Sequence, residues 1–157
     1  MNFENQINVA LGKIVLAESP VVLVAAGIGS CILLCIHHRE SRTAGAAHIM
    51  LPYRNNRALD TKKPAKFADI AVGRIIKMFK KRGLKQDSLK AKIVGGAQLF
   101  HFSQVPNIGK KNIHVVRKAL RELHIPVTGT DVGGNQGRSM WFFAGTGKII
   151  VRTKFDN

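Results

Sequence analysis

Val21-Val22-Leu23-Val24-Ala25-Ala26-Gly27-Ile28-Gly29-Ser30-Cys31-Ile32-Leu33-Leu34-Cys35-Ile36 decides the reading of the fold. Two apolar runs flank a Gly-rich turn, and a cysteine stands at the turn's exit. The pattern predicts a strand over 21–25, a turn, and a second strand over 32–37. Glycines let backbone N–H groups converge on one point, because no Cβ intervenes. A thiolate beside such donors can attack a carbonyl and have its oxyanion held. The same pattern also fits a packed thiol beside a tight turn. On this stretch alone both readings stand.

His48 lies seventeen residues after Cys31, in Gly45-Ala46-Ala47-His48-Ile49-Met50-Leu51-Pro52. Small residues lead into the histidine and leave its ring approachable. Leu51-Pro52 closes the element, since a residue before proline avoids the α region. If this strand neighbours the one after Cys31, the two side chains meet and form a nucleophile–base pair. A satisfied strand histidine is the alternative.

Outward from these two strands, Ile7 to Leu16 reads as an early strand region with Gly12 as a bend or bulge. His37-His38-Arg39-Glu40-Ser41-Arg42 is a polar, hairpin-like connection. Tyr53 to Pro64 is polar and irregular and follows His48 closely enough to rim a site. A helix is predicted over about 66–82, with Phe67, Ile70, Ala71, Ile75, Met78 and Phe79 on one face and Gly83 as its stop. Leu89 to Val94 is a strand entering Gly95-Gly96-Ala97-Gln98, where paired glycines mark a close backbone approach or a bulge. A second helix is predicted over about 109–123, with Ile113, Val116, Leu120 and Leu123 inward. A strand begins at Ile125-Pro126-Val127, a loop with three glycines runs from Asp131 to Arg138, and Ser139 to Phe143 is a strand. Gly145-Thr146-Gly147-Lys148 turns it back onto Ile149 to Thr153. Two amphipathic helices among at least seven strands predict a mixed α/β or α+β domain, with helices covering sheet faces.

The 157 residues are long enough for one domain, 1–157, with a real core. The formal net charge is +16 and the pI near 10.6. The densest stretch, Lys62 to Lys92, holds eleven Lys or Arg against Asp69 and Asp87. Such a field favours acidic partners. With one tryptophan, one tyrosine and no zinc-finger or helix-turn-helix spacing, nucleic acid is not the expected partner. The basic stretch is either a solvated helix face or a docking surface for an acidic protein. The two cysteines, Cys31 and Cys35, are too far apart along one strand to bridge, and Cys35 among Leu33, Leu34 and Ile36 reads as a packed thiol. His37-His38 has no further ligands around it, so no metal is expected. Gly133-Gly134-Asn135-Gln136-Gly137 lacks the Gly-Lys-Ser/Thr of a phosphate loop, and no cofactor is expected. No signal peptide is apparent, and the run from Val21 to Ile36 is broken by glycines and too short to span a membrane. A cytoplasmic location follows, where a nucleophilic thiol stays reduced.

Several blocks together resemble a known family. Gly27-Ile28-Gly29-Ser30-Cys31 and Ala47-His48-Ile49-Met50-Leu51-Pro52 are similar to the chemoreceptor glutamine deamidases, CheD. Lys66-Phe67-Ala68-Asp69 with Gly95-Gly96-Ala97-Gln98-Leu99-Phe100 resembles that family's middle region. Ile108-Gly109-Lys110-Lys111-Asn112 with Asp131-Val132-Gly133-Gly134-Asn135-Gln136-Gly137-Arg138 resembles its C-terminal half. The resemblance implies two stacked mixed β-sheets with helices packed outside, a cysteine-hydrolase-like architecture. It implies Cys31 as nucleophile, His48 as general base, and Gly29, Ser30 and Gln98 as oxyanion or site-lining groups. At one position the chain departs from the family pattern. A threonine usually stands six residues before the cysteine, and here that place is Ala25. A hydroxyl can orient an imidazole or an amide, and a methyl cannot. Ser30 and Ser139 are the hydroxyls that could substitute.

The implied activity is hydrolysis of glutamine side-chain amides on the cytoplasmic domain of chemotaxis receptors, giving glutamate and ammonia. The alternative is a weakly active or inactive binding regulator of a CheC-type chemotaxis phosphatase.

Overall fold

The run over 21–36 forms two strands that belong to different sheets. In the computed structural model, which describes residues 1–100 and 106–153, β3 (Val22–Ile28) lies in a four-stranded sheet and β4 (Ile32–His38) in a five-stranded one. The turn at 29–31 therefore carries the chain from one sheet to the other. The predicted strand over 21–25 runs on to Ile28 through Gly27, whose φ of 63° suits glycine, with an irregular register between Ala25 and Ile28.

The remaining elements are β1 (Gln6–Asn8), β2 (Ile14–Glu18), β5 (Thr43–Ile49), α1 (Ala68–Lys81), β6 (Leu89–Gly95), α2 (Ile108–Glu122), β7 (Val127–Val132), β8 (Arg138–Phe143) and β9 (Ile149–Thr153). The four-stranded sheet has the order β1-β3-β8-β9 and the five-stranded sheet β2-β5-β4-β6-β7. Both are mixed, because β1–β3 and β6–β7 pair in parallel and the other neighbours antiparallel. The early strand region is thus two strands in two sheets, divided at Gly12, whose φ is 75°. The glycine loop is shorter than expected, since Asp131 and Val132 complete β7 and Arg138 opens β8.

β4 is central and buried on both sides, which explains its nearly unbroken apolar run. Leu33 and Cys35 face the four-stranded sheet and pack with Leu23, Ala25, Ile28, Met140 and Phe142. Ile32, Leu34 and Ile36 face the helices and pack with Ala71, Ile75, Phe79, Val116 and Leu120. The molecule is therefore three layers: helices, five-stranded sheet, four-stranded sheet. The small residues of β5 let α1 approach closely. A Cβ on Gly45 would stand 2.6 Å from the Phe79 ring. No helix among the described residues is long and apolar enough to cross a membrane.

Candidate active site

Register places His48 beside the start of β4, which Cys31 immediately precedes. Leu33 pairs directly with His48 and Ile32 with Ile49, so Cys31 stands one step further along, opposite Met50. Leu33 and Cys35 on β4 and Ala44 and Ala46 on β5 pack between the sheets, so alternation turns His48 to the same layer. Cys31 is thus offset diagonally from His48, and no hydrogen bond joins its thiol to the His48 ring among the described residues.

His48 is 4% exposed and held on three sides. Its ring Nδ1 lies 2.9 Å from the Val9 carbonyl oxygen, so Nδ1 carries the proton and donates it. Val9 is itself fixed, its N–H donating to Val24 O at 2.8 Å. The His48 N–H donates to Lys13 O, and its carbonyl accepts from Gly12 N–H. The opposite ring nitrogen, Nε2, is buried and has no hydrogen-bond partner among the described residues. An imidazole with Nδ1 as donor presents Nε2 as a lone pair, which is the form a general base needs. Burial outweighs the Val9 bond and holds the imidazole below its ordinary pKa of 6.5.

The turn before Cys31 has an unusual division of hydrogen bonds. All three of its carbonyls are occupied. Gly29 O accepts from Ala97 N–H at 2.9 Å, Ser30 O from Asn112 Nδ2 at 2.9 Å, and Cys31 O from Gly96 N–H at 2.8 Å. The N–H groups of Gly29, Ser30 and Cys31 donate to no acceptor among the described residues. With the carbonyls tied down, the free amides have a fixed direction, and they sit beside the thiol. Gly95 and Gly96 make this possible. A Cβ on Gly95 would lie 2.2 Å from Cys31 O, and the φ values are 117° and 71°. The paired glycines are a close backbone approach.

Burial pushes the Cys31 thiol above its ordinary pKa of 9.0, so the resting group is a protonated thiol. Cys35 is raised further, is 1% exposed and packs against the Met140 sulfur. Of the two cysteines, only Cys31 is partly accessible.

Gln98 is half-buried near the turn. Its N–H donates to Gly134 O, its Oε1 accepts from Asn107 Nδ2 at 3.2 Å, and it lines a cavity of about 140 Å³ with Ser30. A second cavity of about 520 Å³ is lined by Gly27, Gly29, Leu99, Arg138 and Ser139. Space thus adjoins the turn on two sides. Ala25 is buried in the layer that His48 faces. Ser139 is not: Met140 and Phe142 face that layer, so alternation turns Ser139 to the outer side of the four-stranded sheet. His37 and His38 do not converge either. His37 Nε2 meets Ala144 O and His38 Nδ1 meets Ser41 Oγ.

Asn112 is a group that the sequence reading missed as part of the site. It is 0% exposed, and its Nδ2 donates to both Ser30 O and Met50 O at 2.9 and 3.1 Å. One side-chain amide thus ties the turn before Cys31 to the residue two beyond His48. Its sequence signal is an asparagine in the inward stripe Gly109, Asn112, Val116, Leu120.

Residues 50–153 match the family model described as CheD chemotactic sensory transduction. The chain belongs to the CheD family. It is 39% identical over 94% of its length to the probable chemoreceptor glutamine deamidase CheD of Clostridium botulinum (strain Eklund 17B / Type B), covering 92% of that protein. It is 38% identical over 92% of its length to the chemoreceptor glutamine deamidase CheD of Thermotoga maritima, covering 89% of it. The crystal structure of Bacillus licheniformis hypothetical protein YfiH aligns with 75% of this chain and 49% of its own, at 12% identity and a TM-score of 0.49. The model match covers β6 to β9, both helices and Asn112. Cys31 and His48 lie before the first residue of the model match and within the stretch shared with the full-length relatives.

Proposed function

We propose that this CheD-family chain is a cysteine amidohydrolase that converts glutamine side chains of chemoreceptors to glutamate, with Cys31 as nucleophile and His48 as general base. The observation that carries the reading is the turn at 29–31, where every carbonyl is engaged and no N–H has an acceptor among the described residues. Gly29, Ser30 and Cys31 are half-buried, so amides without a protein acceptor next to the cysteine in the chain are available to hold an oxyanion.

His48 Nε2 takes the proton from the Cys31 thiol as sulfur bonds to the amide carbon. The carbonyl oxygen becomes an oxyanion and accepts from the turn's N–H groups. His48 then gives the proton to the amide nitrogen, the C–N bond breaks, and ammonia leaves a thioester behind. Water loses a proton to His48 and attacks the thioester carbon. The S–C bond breaks, the thiol regains its proton, and glutamate is released. A neutral imidazole and a neutral thiol suit this order, because the proton moves during attack. The Val9 carbonyl holds the ring tautomer that leaves Nε2 to take the thiol proton.

The substrate is a receptor's cytoplasmic domain, so the place of action is the cytoplasm. The test is mass spectrometry of a receptor cytoplasmic fragment after incubation. Each converted glutamine gains about 1 Da, as an NH2 group is replaced by OH, and Cys31→Ala gives none. Conversion by Cys31→Ala at the parent's rate overturns the assignment.

A further inference from the structure

Lys90 and Lys92 stand where a closed sandwich would place apolar residues. Along β6, Leu89, Ala91 and Ile93 pack against the helices. Val94 packs in the layer between the sheets, and by the two-residue alternation Lys92 and Lys90 share that inward face. On β4 the same face runs Leu33, Cys35, then His37. The layer thus changes from apolar to cationic toward one end. It opens there into a cavity of about 880 Å³, lined by His37, Arg39, Glu40, Arg42, Lys90 and Lys92 and by the Gly145–Gly147 turn. Five steps of β4 separate Ile32, next to Cys31, from His37, so this cavity lies about 17 Å from the nucleophile turn.

The charges in it are uncompensated. The two ion pairs among the described residues are Lys118–Glu122 and Arg138–Asp131, and neither involves the cavity. Four cationic side chains face a single carboxylate, Glu40, which pairs with none of them. Lys92 is not free to leave for bulk water, because its Nζ donates to Gly147 O at 2.9 Å. His37 adds a polar wall rather than charge. Burial holds its pKa below 6.5 and its Nε2 is engaged by Ala144 O at 2.8 Å. Arg39, Arg42 and Lys90 are exposed and Lys92 is half-buried, and cations gathered around one cleft repel one another until an anion joins them. The volume is that of a small-molecule site.

We propose that this cleft binds a compact polyanion bearing two or more phosphate or carboxylate groups, at a site separate from the Cys31 turn. Guanidinium forks on Arg39 and Arg42 match either oxyanion, and Lys90 and Lys92 supply point charges from β6.

The test is titration calorimetry of the full chain with inorganic tripolyphosphate and, separately, citrate, at constant ionic strength. Saturable binding of one anion per chain is expected. Arg42→Glu/Lys90→Glu should weaken it at least about tenfold. Lys77→Glu/Lys81→Glu on the exposed face of α1 makes the same change in net charge and should alter it less than about twofold. Lys90→Gln alone, at an exposed position, should weaken binding about threefold and guards against misfolding of the double variant. A preference for tripolyphosphate identifies a phosphoryl ligand and a preference for citrate a carboxylate one; either supports the site. Equal loss in the two double variants means that net charge alone is read and overturns the proposal. So does the absence of saturable binding by the parent at millimolar anion. Glutamine conversion by Arg42→Glu/Lys90→Glu should match the parent in buffer free of polyanions, which separates failure here from failure of the deamidase reading.

Discussion

The two ends of β4 are built on opposite plans. At the Cys31 end every carbonyl of the turn is tied down, glycines allow backbone to touch backbone, and a buried asparagine joins two strands. At the His37 end the sheets part, and lysines and arginines line open space. One end fixes geometry and the other gathers charge. The lesson is that a rigid strand can serve both because its buried middle, Leu33 to Ile36, isolates them.

The largest effect that could break this contrast is at the thiol. Cys31→Ala should lower glutamine conversion more than about a thousandfold, with circular dichroism and partner binding close to the parent. Asn112→Ala comes next. It removes the Asn112 donor from the Ser30 and Met50 carbonyls and a side chain that is 0% exposed, and should cost about 2 to 4 kcal/mol of stability in a denaturant titration. Conversion should fall about ten- to a hundredfold under conditions where the variant is still folded. A folded Asn112→Ala at full activity would show that the turn is rigid without it.

Alkylation reads the same end more finely. Limiting iodoacetamide followed by peptide mapping should label Cys31 well before Cys35, because only Cys31 is partly exposed. Since its thiol pKa is raised, labelling should accelerate as pH rises toward and beyond 9.0. The pH profile of kcat/KM tests the pair. In the proposed mechanism His48 is a base only when neutral, and burial holds its pKa below 6.5, so activity should fall on the acid side with a midpoint under 6.5. An acid limb centred above 7 would mean that His48 is stabilised as the cation, contrary to its burial.

The smallest effect concerns Ala25. The Val9 carbonyl already holds Nδ1, so Ala25→Thr should change turnover less than about tenfold, measured as ammonia release. A hundredfold gain would show that the carbonyl is no substitute for the hydroxyl.

The sequence made some of this legible and concealed the rest for physical reasons. Both helices were visible because their apolar stripes repeat at 3.6 residues, and observed bounds lie within about two residues of the predicted ones. Strands β4 and β5 were visible from their turn signals, and family resemblance supplied the stacking of the sheets. The division of the N-terminal region between two sheets was not, because Gly12 marks a bend without saying where the chain goes next. Cys31 and His48 announce themselves by residue type. Val9 cannot, since its contribution is a backbone carbonyl that any residue offers. Asn112 was visible as a polar residue in an apolar stripe, but its two acceptors lie 82 and 62 positions away in the chain. The cationic cleft was present as the His37–Arg42 connection and the Lys62–Lys92 run, and only the parting of the sheets joins them.

The contact between α2 and the turn at 29–31 has a mechanical consequence. Gly109, in the first turn of α2, lies so close to Gly96 and Ala97 that an added Cβ would stand 2.4 Å from the Gly96 oxygen. Asn112, one turn on, grips Ser30 from the same helix. The helix is therefore geared to the turn, and it cannot slide or roll without dragging the amides at 29–31. Its far side is solvent-facing and carries Lys110, Lys111, Lys118 and Arg121. A protein that leaned on that side would be pushing a lever whose short arm ends at Cys31, and amide hydrogen exchange at 29–31 would register the push.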